Sequence, residues 1–217
     1  MSDLDIQATK DIVNLTAIEA RVLGALMEKQ LTTPDAYPLT LNALVTACNQ
    51  KTSREPVSNY SNGDIEHCVN QLRQRQFVEV EYGSRANRYD QRLTRKLFLE
   101  KPAQAVLTIM LLRGPQTINE LLTRTERMAN FSSGAAIEDL LNLMCQKTAP
   151  IIMKISRQAG QREDRYMHLL CGEPDLSQWS APTTSSSPSQ RQDLEQRVVQ
   201  LEAKLQKVLE HLNLDVD

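Results

Sequence analysis

The sequence predicts a mainly helical α+β protein in which one arrangement of elements occurs twice. Two observations carry this prediction. Three helical patterns followed by a β-hairpin pattern appear two times in succession, and both hairpins return through an Arg-Tyr pair, at Arg88-Tyr89 and Arg165-Tyr166, 77 residues apart. Three helices and a β-hairpin wing are the order of a winged helix, so we predict two tandem winged-helix domains.

A third observation, a heptad stripe near the end of the chain, adds a C-terminal coiled-coil helix to this fold class. The chain of 217 residues is long enough for two small domains. We divide it into an N-terminal tail (1–13), a first domain (14–98), a second domain (99–174), a flexible linker (175–190) and the coiled-coil helix (191–214).

Three capping signals define the helices of the first domain. The capping box Thr16-Ala17-Ile18-Glu19 begins the first helix, and Pro34 prevents its continuation. Thr40 caps a short second helix, and Ser61 begins the third, with Asp64 near the positive end of the helix dipole. We expect the third helix to bury Ile65, Val69 and Leu72.

The wing of the first domain follows a change from helical to alternating period. In the segment FVEVEY, we place Val78, Val80 and Tyr82 on the buried face and Glu79 and Glu81 on the outer face. The basic loop GSRANR then leads into the returning segment RYDQRL, which predicts a β-hairpin.

The second domain repeats this order. Pro102 stands at a favoured first helical position, and Thr117-Ile118-Asn119-Glu120 is a second capping box. A third helix follows with its own apolar face, and the segments IIMKISRQ and RYMHLL flank the loop AGQRED as strands. That helix is expected to bury Ile137, Leu140, Leu141 and Met144.

The Ser/Thr/Pro-rich segment 180–190 indicates a linker, and the residues after it show the heptad stripe. We predict that this stripe is an oligomerisation seam of a homodimer, the alternative being one amphipathic helix docked on the second domain. Its residues are Leu194, Val198, Leu201, Leu205, Val208 and Leu212.

Composition narrows the class of function. No apolar run reaches the roughly 20 residues that span a bilayer, and the acidic, polar start MSDLDIQATKDIVN is not a secretory signal. We therefore expect a cytoplasmic protein without a membrane partner, whose four cysteines are free thiols. With three histidines, no zinc spacing and no glycine-rich phosphate loop, we expect neither an enzyme nor a metal or other cofactor.

A nucleic-acid partner fits the distribution of charge. Residues 14–98 carry a net charge of +2 and residues 99–174 of +1, whereas both ends are acidic. We predict binding to double-stranded DNA, with phosphate contacts from Lys51, Arg54, Arg85 and Arg88. Base contacts are predicted for Gln71, Arg73, Gln74 and Arg75 on the third helix. The second domain is a weaker candidate, because its third helix presents acids.

The polar stretch TACNQKTSREPVSNYS, residues 46–61, connects the second and third helices of the first domain. A helix-turn-helix turn needs about 3–4 residues, so this connection is unusually long. Its Asn, Thr and Ser side chains can order the loop backbone, which is one explanation. The second domain has no counterpart of Lys51 and Arg54, and the alternative is therefore a feature specific to function.

Several motifs resemble those of the YceH-like family of bacterial proteins, which is of unknown function. The segments EKQ (28–30), TTP (32–34), YPL (37–39) and TACNQKTSREPV (46–57) carry the resemblance in the first domain, and LLRGPQT (111–117) in the second. The resemblance implies a tandem winged-helix fold and leaves activity open. An alternative to DNA binding is a protein–protein interaction adaptor that uses winged-helix surfaces.

Overall fold

The computed structural model describes residues 14–157 and 161–174. Residues 14–157 and 162–174 belong to one compact unit. The predicted tail, linker and coiled-coil helix, with all six heptad residues, lie outside the described residues. We call residues 14–98 the first half and the described residues of 99–174 the second half.

The first half contains four α-helices, one 3-10 turn and three strands. These are α1 (Ala17–Thr32), the 3-10 turn (Pro34–Ala36), β1 (Leu39–Thr40), α2 (Leu41–Cys48), α3 (Asn62–Gln74), β2 (Val78–Glu81), β3 (Arg88–Gln91) and α4 (Leu93–Lys96). The second half contains α5 (Lys101–Arg113), α6 (Ile118–Thr125), α7 (Gly134–Cys145), β4 (Ile152–Ile155) and β5 (Arg165–His168). In this described part, the predicted mainly helical α+β class with small β-hairpins is confirmed.

The helices begin where the capping signals place them. Thr16 and Thr117 each accept a hydrogen bond from the backbone N–H of the glutamate three residues later, and both capping boxes are complete. Ser61 forms a third box with Asp64, and Thr40 caps α2. These starts depend on contacts within four residues, which is why the sequence alone predicts them.

Both hairpins are antiparallel. In each half, a residue or short strand just before the second helix also pairs with the returning strand of the hairpin. In the first half β1 pairs with β3 and gives the strand order β1-β3-β2, with Leu39 opposite Tyr89. In the second half an isolated bridge joins Gln116 to Tyr166 on the β4–β5 hairpin. Each partner lies 77 residues after its counterpart, as do the bounds of α6 relative to α2.

Helix α1 is the centre of the core. Every residue from 19 to 28 is buried, because α5 packs on one side of α1 while α2 and α3 pack on others. Gly24 permits the close approach of α5: a Cβ at this position would stand 3.0 Å from Leu111 Cβ and 3.0 Å from Leu112 Cδ2. The two halves therefore share one interior along α1 and α5.

One residue of the first hairpin differs from the alternating pattern. Val78 is buried and Val80 half-buried as predicted, but β2 ends at Glu81 and Tyr82 is 75% exposed. The prediction that Tyr82 faces the interior is wrong, because the alternation of a strand stops applying where the backbone leaves the ladder.

Candidate nucleic-acid interface

Helix α3 presents one apolar and one polar face. Its apolar stripe, Ile65, Cys68, Val69 and Leu72, is buried against α1 and α2. All the side chains between these positions are exposed. The spacing of 100° per residue turns Gln74 away from the core and puts Gln71 and Arg73 on opposite flanks. The structure therefore separates Gln71 from Arg73, which the sequence grouped together.

The flank that carries Arg73 is joined to the β2–β3 hairpin. The Arg73 guanidinium donates a hydrogen bond from Nη1 to the hydroxyl of Tyr82 at 3.0 Å. This bond connects the helix to the start of the hairpin loop, residues 82–87. An exposed arginine and an exposed tyrosine are thereby held side by side on one surface. Sequence reasoning missed Tyr82 because its alternation suggested a buried residue.

Two further arginines lie on the hairpin. Arg85 is exposed in the loop, and its side chain makes no hydrogen bond or ion pair with any described residue. Arg88 is exposed and donates from Nη1 to the carbonyl oxygen of Pro38 at 2.8 Å, which fixes its orientation and leaves its other N–H groups free to donate. Glu81 stands opposite Arg88 in the ladder and reduces the local positive charge. We call Arg73, Gln74, Tyr82, Arg85 and Arg88 the hairpin face.

Arg54 is buried, and the prediction that it contacts phosphate is corrected here. Its side chain has no solvent exposure, and its guanidinium donates to both carboxylate oxygens of Glu28, at 3.1 and 2.6 Å. It also donates to the carbonyl oxygens of Ala47 and Ser53. A group enclosed in this way has no surface to offer a phosphate. Lys51, in the same connection, is exposed.

The pair Glu28–Arg54 attaches the long connection to α1. Burial alone would raise the pKa of Glu28, but hydrogen bonds and charge from Arg54 hold it below its ordinary value. A second buried guanidinium, Arg21, donates to the carbonyl oxygens of Pro56 at 2.7 Å and Cys48 at 3.2 Å, and burial lowers its pKa. The sequence signal for this attachment was the presence of Arg21 and Glu28 at buried positions of the mostly apolar helix α1.

The connection also contacts the second half. The backbone N–H of Glu55 donates to the carbonyl oxygen of Leu112 at 2.9 Å, and Arg113 lies 3.3 Å from the Glu55 carboxylate. Asn49 pairs in both directions with the backbone of Tyr60, at 2.8 Å each. The polar residues of this stretch therefore order the loop and join it to α1 and α5. Most of its polar density has a structural cause.

Arg75 is likewise committed to the interior side of the molecule. Its Nη1 lies 2.8 Å from Glu19 Oε1 and its Nη2 donates to the carbonyl oxygen of Asn14 at 3.0 Å. Its guanidinium also stands over the ring of Phe77, 5.0 Å from the centroid. These contacts close the end of α3 onto the first turn of α1, and we therefore leave Arg75 out of the proposed DNA contacts.

On the corresponding surface of the second half, two of the cations are paired with acids. Lys154 lies 2.8 Å from Asp164, and Arg165 lies 3.0 Å from Glu120. Outward residues of α7 include Glu138, Asp139 and Leu143, of which Leu143 is 66% exposed. This surface is nearly neutral and partly apolar.

Other kinds of site have little support in the part of the chain that the structure describes. No group of three or more His, Cys, Asp or Glu side chains there could hold a metal ion, and no helix among residues 14–157 and 161–174 is long and apolar enough to cross a membrane. The four cysteines are free thiols, with Cys48 and Cys68 buried, Cys145 half-buried and Cys171 exposed.

Comparison with known proteins identifies the family. A family model described as "Protein of unknown function, DUF480" matches residues 15–161. The chain is 62% identical over 194 residues to a UPF0502 protein of Cellvibrio japonicus, covering 88% of this chain and 89% of that protein. It is 45% identical over 200 residues to a UPF0502 protein of Vibrio campbellii, covering 89% and 90%. The predicted membership in a bacterial family of unknown function is thus confirmed, and the chain belongs to the DUF480 family.

Proposed function

We propose that this chain is a tandem winged-helix protein that binds double-stranded DNA through the hairpin face of its first half. The repeated order of helices and hairpin, with an extra strand or bridge paired to the returning strand in each half, supports the winged-helix assignment. In such a domain the third helix enters the major groove and the wing contacts the backbone.

The observation that carries the proposal is the hydrogen bond between Arg73 and Tyr82. It joins the outward helix to the hairpin and makes a continuous polar surface from Gln74 to Arg85. Gln74 is placed to reach base edges, while Arg85 and Arg88 are placed to reach phosphates. Lys51 is a further phosphate candidate on the connection before α3. Neither Arg54 nor Arg75 takes part.

A salt titration tests the proposal. With about three phosphates neutralised, log K should fall against log salt with a slope of about −3. Fluorescence anisotropy of a labelled mixed-sequence duplex between about 50 and 200 mM salt measures this slope. Binding that is undetectable at the lowest salt, or that does not weaken as salt rises, would contradict the proposal.

A second candidate function, a protein–protein adaptor, is favoured by the second half. Its exposed Leu143 lies on a helix that also presents Glu138 and Asp139, and two of its hairpin cations are paired with acids. Such a surface suits a protein partner better than DNA. Pull-down with and without nuclease separates the candidates: partners that survive nuclease treatment support the adaptor, and partners lost with the nucleic acid support DNA binding.

A further inference from the structure

Phe98 combines an unusual conformation with unusual exposure. It follows α4 at the position after the C-cap, where Phe98 N–H donates to Arg95 and Leu99 N–H donates to Thr94. Glycine is preferred at this position because the backbone is left-handed, and Phe98 has φ 50. Its ring is 88% exposed. Neither backbone preference nor burial accounts for a phenylalanine here, and such outliers concentrate at functional sites.

The ring borders a cleft of about 460 Å³ between α1, the end of β3, α4 and the start of α5. This volume is within the range of small-molecule sites. The lining residues are Gln30, Leu31, Gln91, Arg92, Thr94, Arg95, Phe98, Leu99, Lys101 and Gln104.

Three glutamine amides in this lining are oriented by one backbone group. Because the N–H of Thr94 donates to Gln91 Oε1 at 3.0 Å, the other amide atom of Gln91 must be the nitrogen. That nitrogen donates to Gln30 Oε1 at 2.7 Å, and the same oxygen accepts from Gln104 Nε2 at 2.8 Å. The hydrogen bonds therefore fix which atom of each amide is nitrogen and which is oxygen.

These hydrogen bonds leave one amide nitrogen and one amide oxygen of the three glutamines without a partner. Gln30 Nε2 and Gln104 Oε1 have no hydrogen-bond partner among the described residues, although Gln104 is only 5% exposed. Neither atom is among the fully enclosed side-chain atoms without a partner, so a ligand can reach both and supply the missing hydrogen bonds. A planar group with both a donor and an acceptor on its edge fits these two atoms.

The charge of the lining is positive. It contains Arg92, Arg95 and Lys101 and no carboxylate. Arg92 is paired with Glu79 and Asp90, but the side chains of Arg95 and Lys101 make no ion pair in the described part of the chain and are exposed. Glu100 lies beside Lys101 in sequence but does not line the cleft. Two unpaired cations next to an exposed aromatic ring favour an anionic ligand that has an aromatic part.

We propose that this cleft, which we call the Phe98 cleft, binds a nucleoside phosphate. The nucleobase stacks on the Phe98 ring, its polar edge meets Gln30 Nε2 and Gln104 Oε1, and the phosphate lies between Arg95 and Lys101. An acidic peptide would match the two cations but would leave the amide pair and the ring without specific partners. The cleft shares no residue with the hairpin face, so this proposal stands or falls independently of DNA binding.

Isothermal titration calorimetry of the full chain with AMP, GMP, CMP and UMP tests the site. We expect at least one of the four to bind with a dissociation constant below about 1 mM. Its nucleoside and ribose 5-phosphate, which each lack one half of the ligand, should bind at least about tenfold more weakly. Failure of all four nucleotides at millimolar concentration overturns the proposal. Equal binding by a short oligoglutamate overturns it in favour of a peptide site.

Variants connect the binding to the cleft. Phe98→Gly removes the ring and suits the left-handed backbone, so it should reduce affinity about tenfold or more without lowering the melting temperature. Arg95→Ala with Lys101→Ala should reduce it by at least as much. Val57→Ala, which shortens an exposed apolar side chain outside both the cleft and the hairpin face, is the control and should leave nucleotide affinity unchanged. Binding that persists in the first two variants places the ligand elsewhere and overturns the proposal.

Discussion

The two hairpins of this protein have the same pairing scheme but different charge environments. In the first, Arg85 is exposed and its side chain has no partner in the described part of the chain, and Arg73 is joined to Tyr82. In the second, Lys154 and Arg165 are paired with Asp164 and Glu120. The pairing scheme is common to both halves, whereas acids bound to Lys154 and Arg165 reduce the positive charge of the second hairpin. This difference supports placing the proposed DNA binding in the first half.

The connections between the second and third helices also differ between the two halves, in length and in contacts. The first spans residues 49–61 and the second 126–133, which is five residues shorter. The longer connection contains Arg54, whose partner Glu28 lies on α1. The additional residues therefore attach the connection to α1 and, through Glu55, to α5. What first resembles a functional insertion is largely a packing element with one exposed cation, Lys51.

Breaking the buried pair should have the largest effect. Arg54→Ala leaves the Glu28 carboxylate buried with only Lys29 nearby, at 3.4 Å. We expect a loss of about 3–5 kcal/mol of unfolding free energy, the usual result of stranding one buried charge. Urea unfolding followed by circular dichroism measures it.

Two variants control this prediction. Lys51→Ala changes the exposed cation of the same connection and should alter the free energy by less than about 0.5 kcal/mol. Replacing both partners, with Glu28→Gln and Arg54→Met, should recover part of the loss because no charge is left unpaired. Equal stability of Arg54→Ala and Lys51→Ala would show that the pair does not hold the connection.

The returning strands supply the next comparison. Gln91 on β3 and His168 on β5 are 77 residues apart and both buried. Gln91 is fully hydrogen-bonded, to Tyr37, Gln30 and Thr94, whereas His168 Nδ1 has no partner among the described residues. Burial lowers the pKa of His168 from 6.5 to about 4.

The sign of the pH effect follows from this depressed pKa. Below pH 6.5 the unfolded chain binds a proton at His168 that the folded protein excludes until about pH 4. The contribution of His168 is therefore complete above pH 6.5 and falls by up to about 3 kcal/mol as the pH drops to about 4. His168→Gln, which copies the first half, should remove this part of the pH dependence. Parallel curves of unfolding free energy against pH for the two proteins would contradict it.

Charge reversal compares the two hairpins directly. Arg73→Glu with Arg85→Glu should lower DNA affinity at least about tenfold and reduce the salt slope by about 1, because Arg85 is the phosphate contact of the two. Arg157→Glu with Arg162→Glu makes the same change of charge on the second hairpin and should change affinity less than about threefold. Anisotropy titrations of both double variants over the same series of salt concentrations measure the affinities and the slope. Equal losses from the two double variants would remove the reason for assigning DNA binding to the first half.

The sequence predicted features that depend on neighbouring residues. Caps at Thr16, Thr40, Ser61 and Thr117 and both hairpins follow from patterns a few residues long, and the 77-residue repeat adds their order. Arg54 was misplaced because its partner is 26 residues earlier. Such long-range pairs depend on tertiary packing, which a local sequence pattern does not reveal. The same holds for the point at which β2 ends and leaves Tyr82 exposed.

The smallest expected effect comes from neutralising two acidic residues of the second hairpin. Glu163 accepts a hydrogen bond from Asn119 at 2.8 Å, and Asp164 pairs with Lys154 at 2.8 Å. Glu163→Gln with Asp164→Asn keeps the shapes of the side chains, removes two negative charges and frees Lys154 from its ion pair. If paired acids are what keeps this hairpin from DNA, affinity should rise about threefold at low salt and the rise should vanish as salt screens the charges. An unchanged affinity would show that these two acids do not account for the difference between the two hairpins.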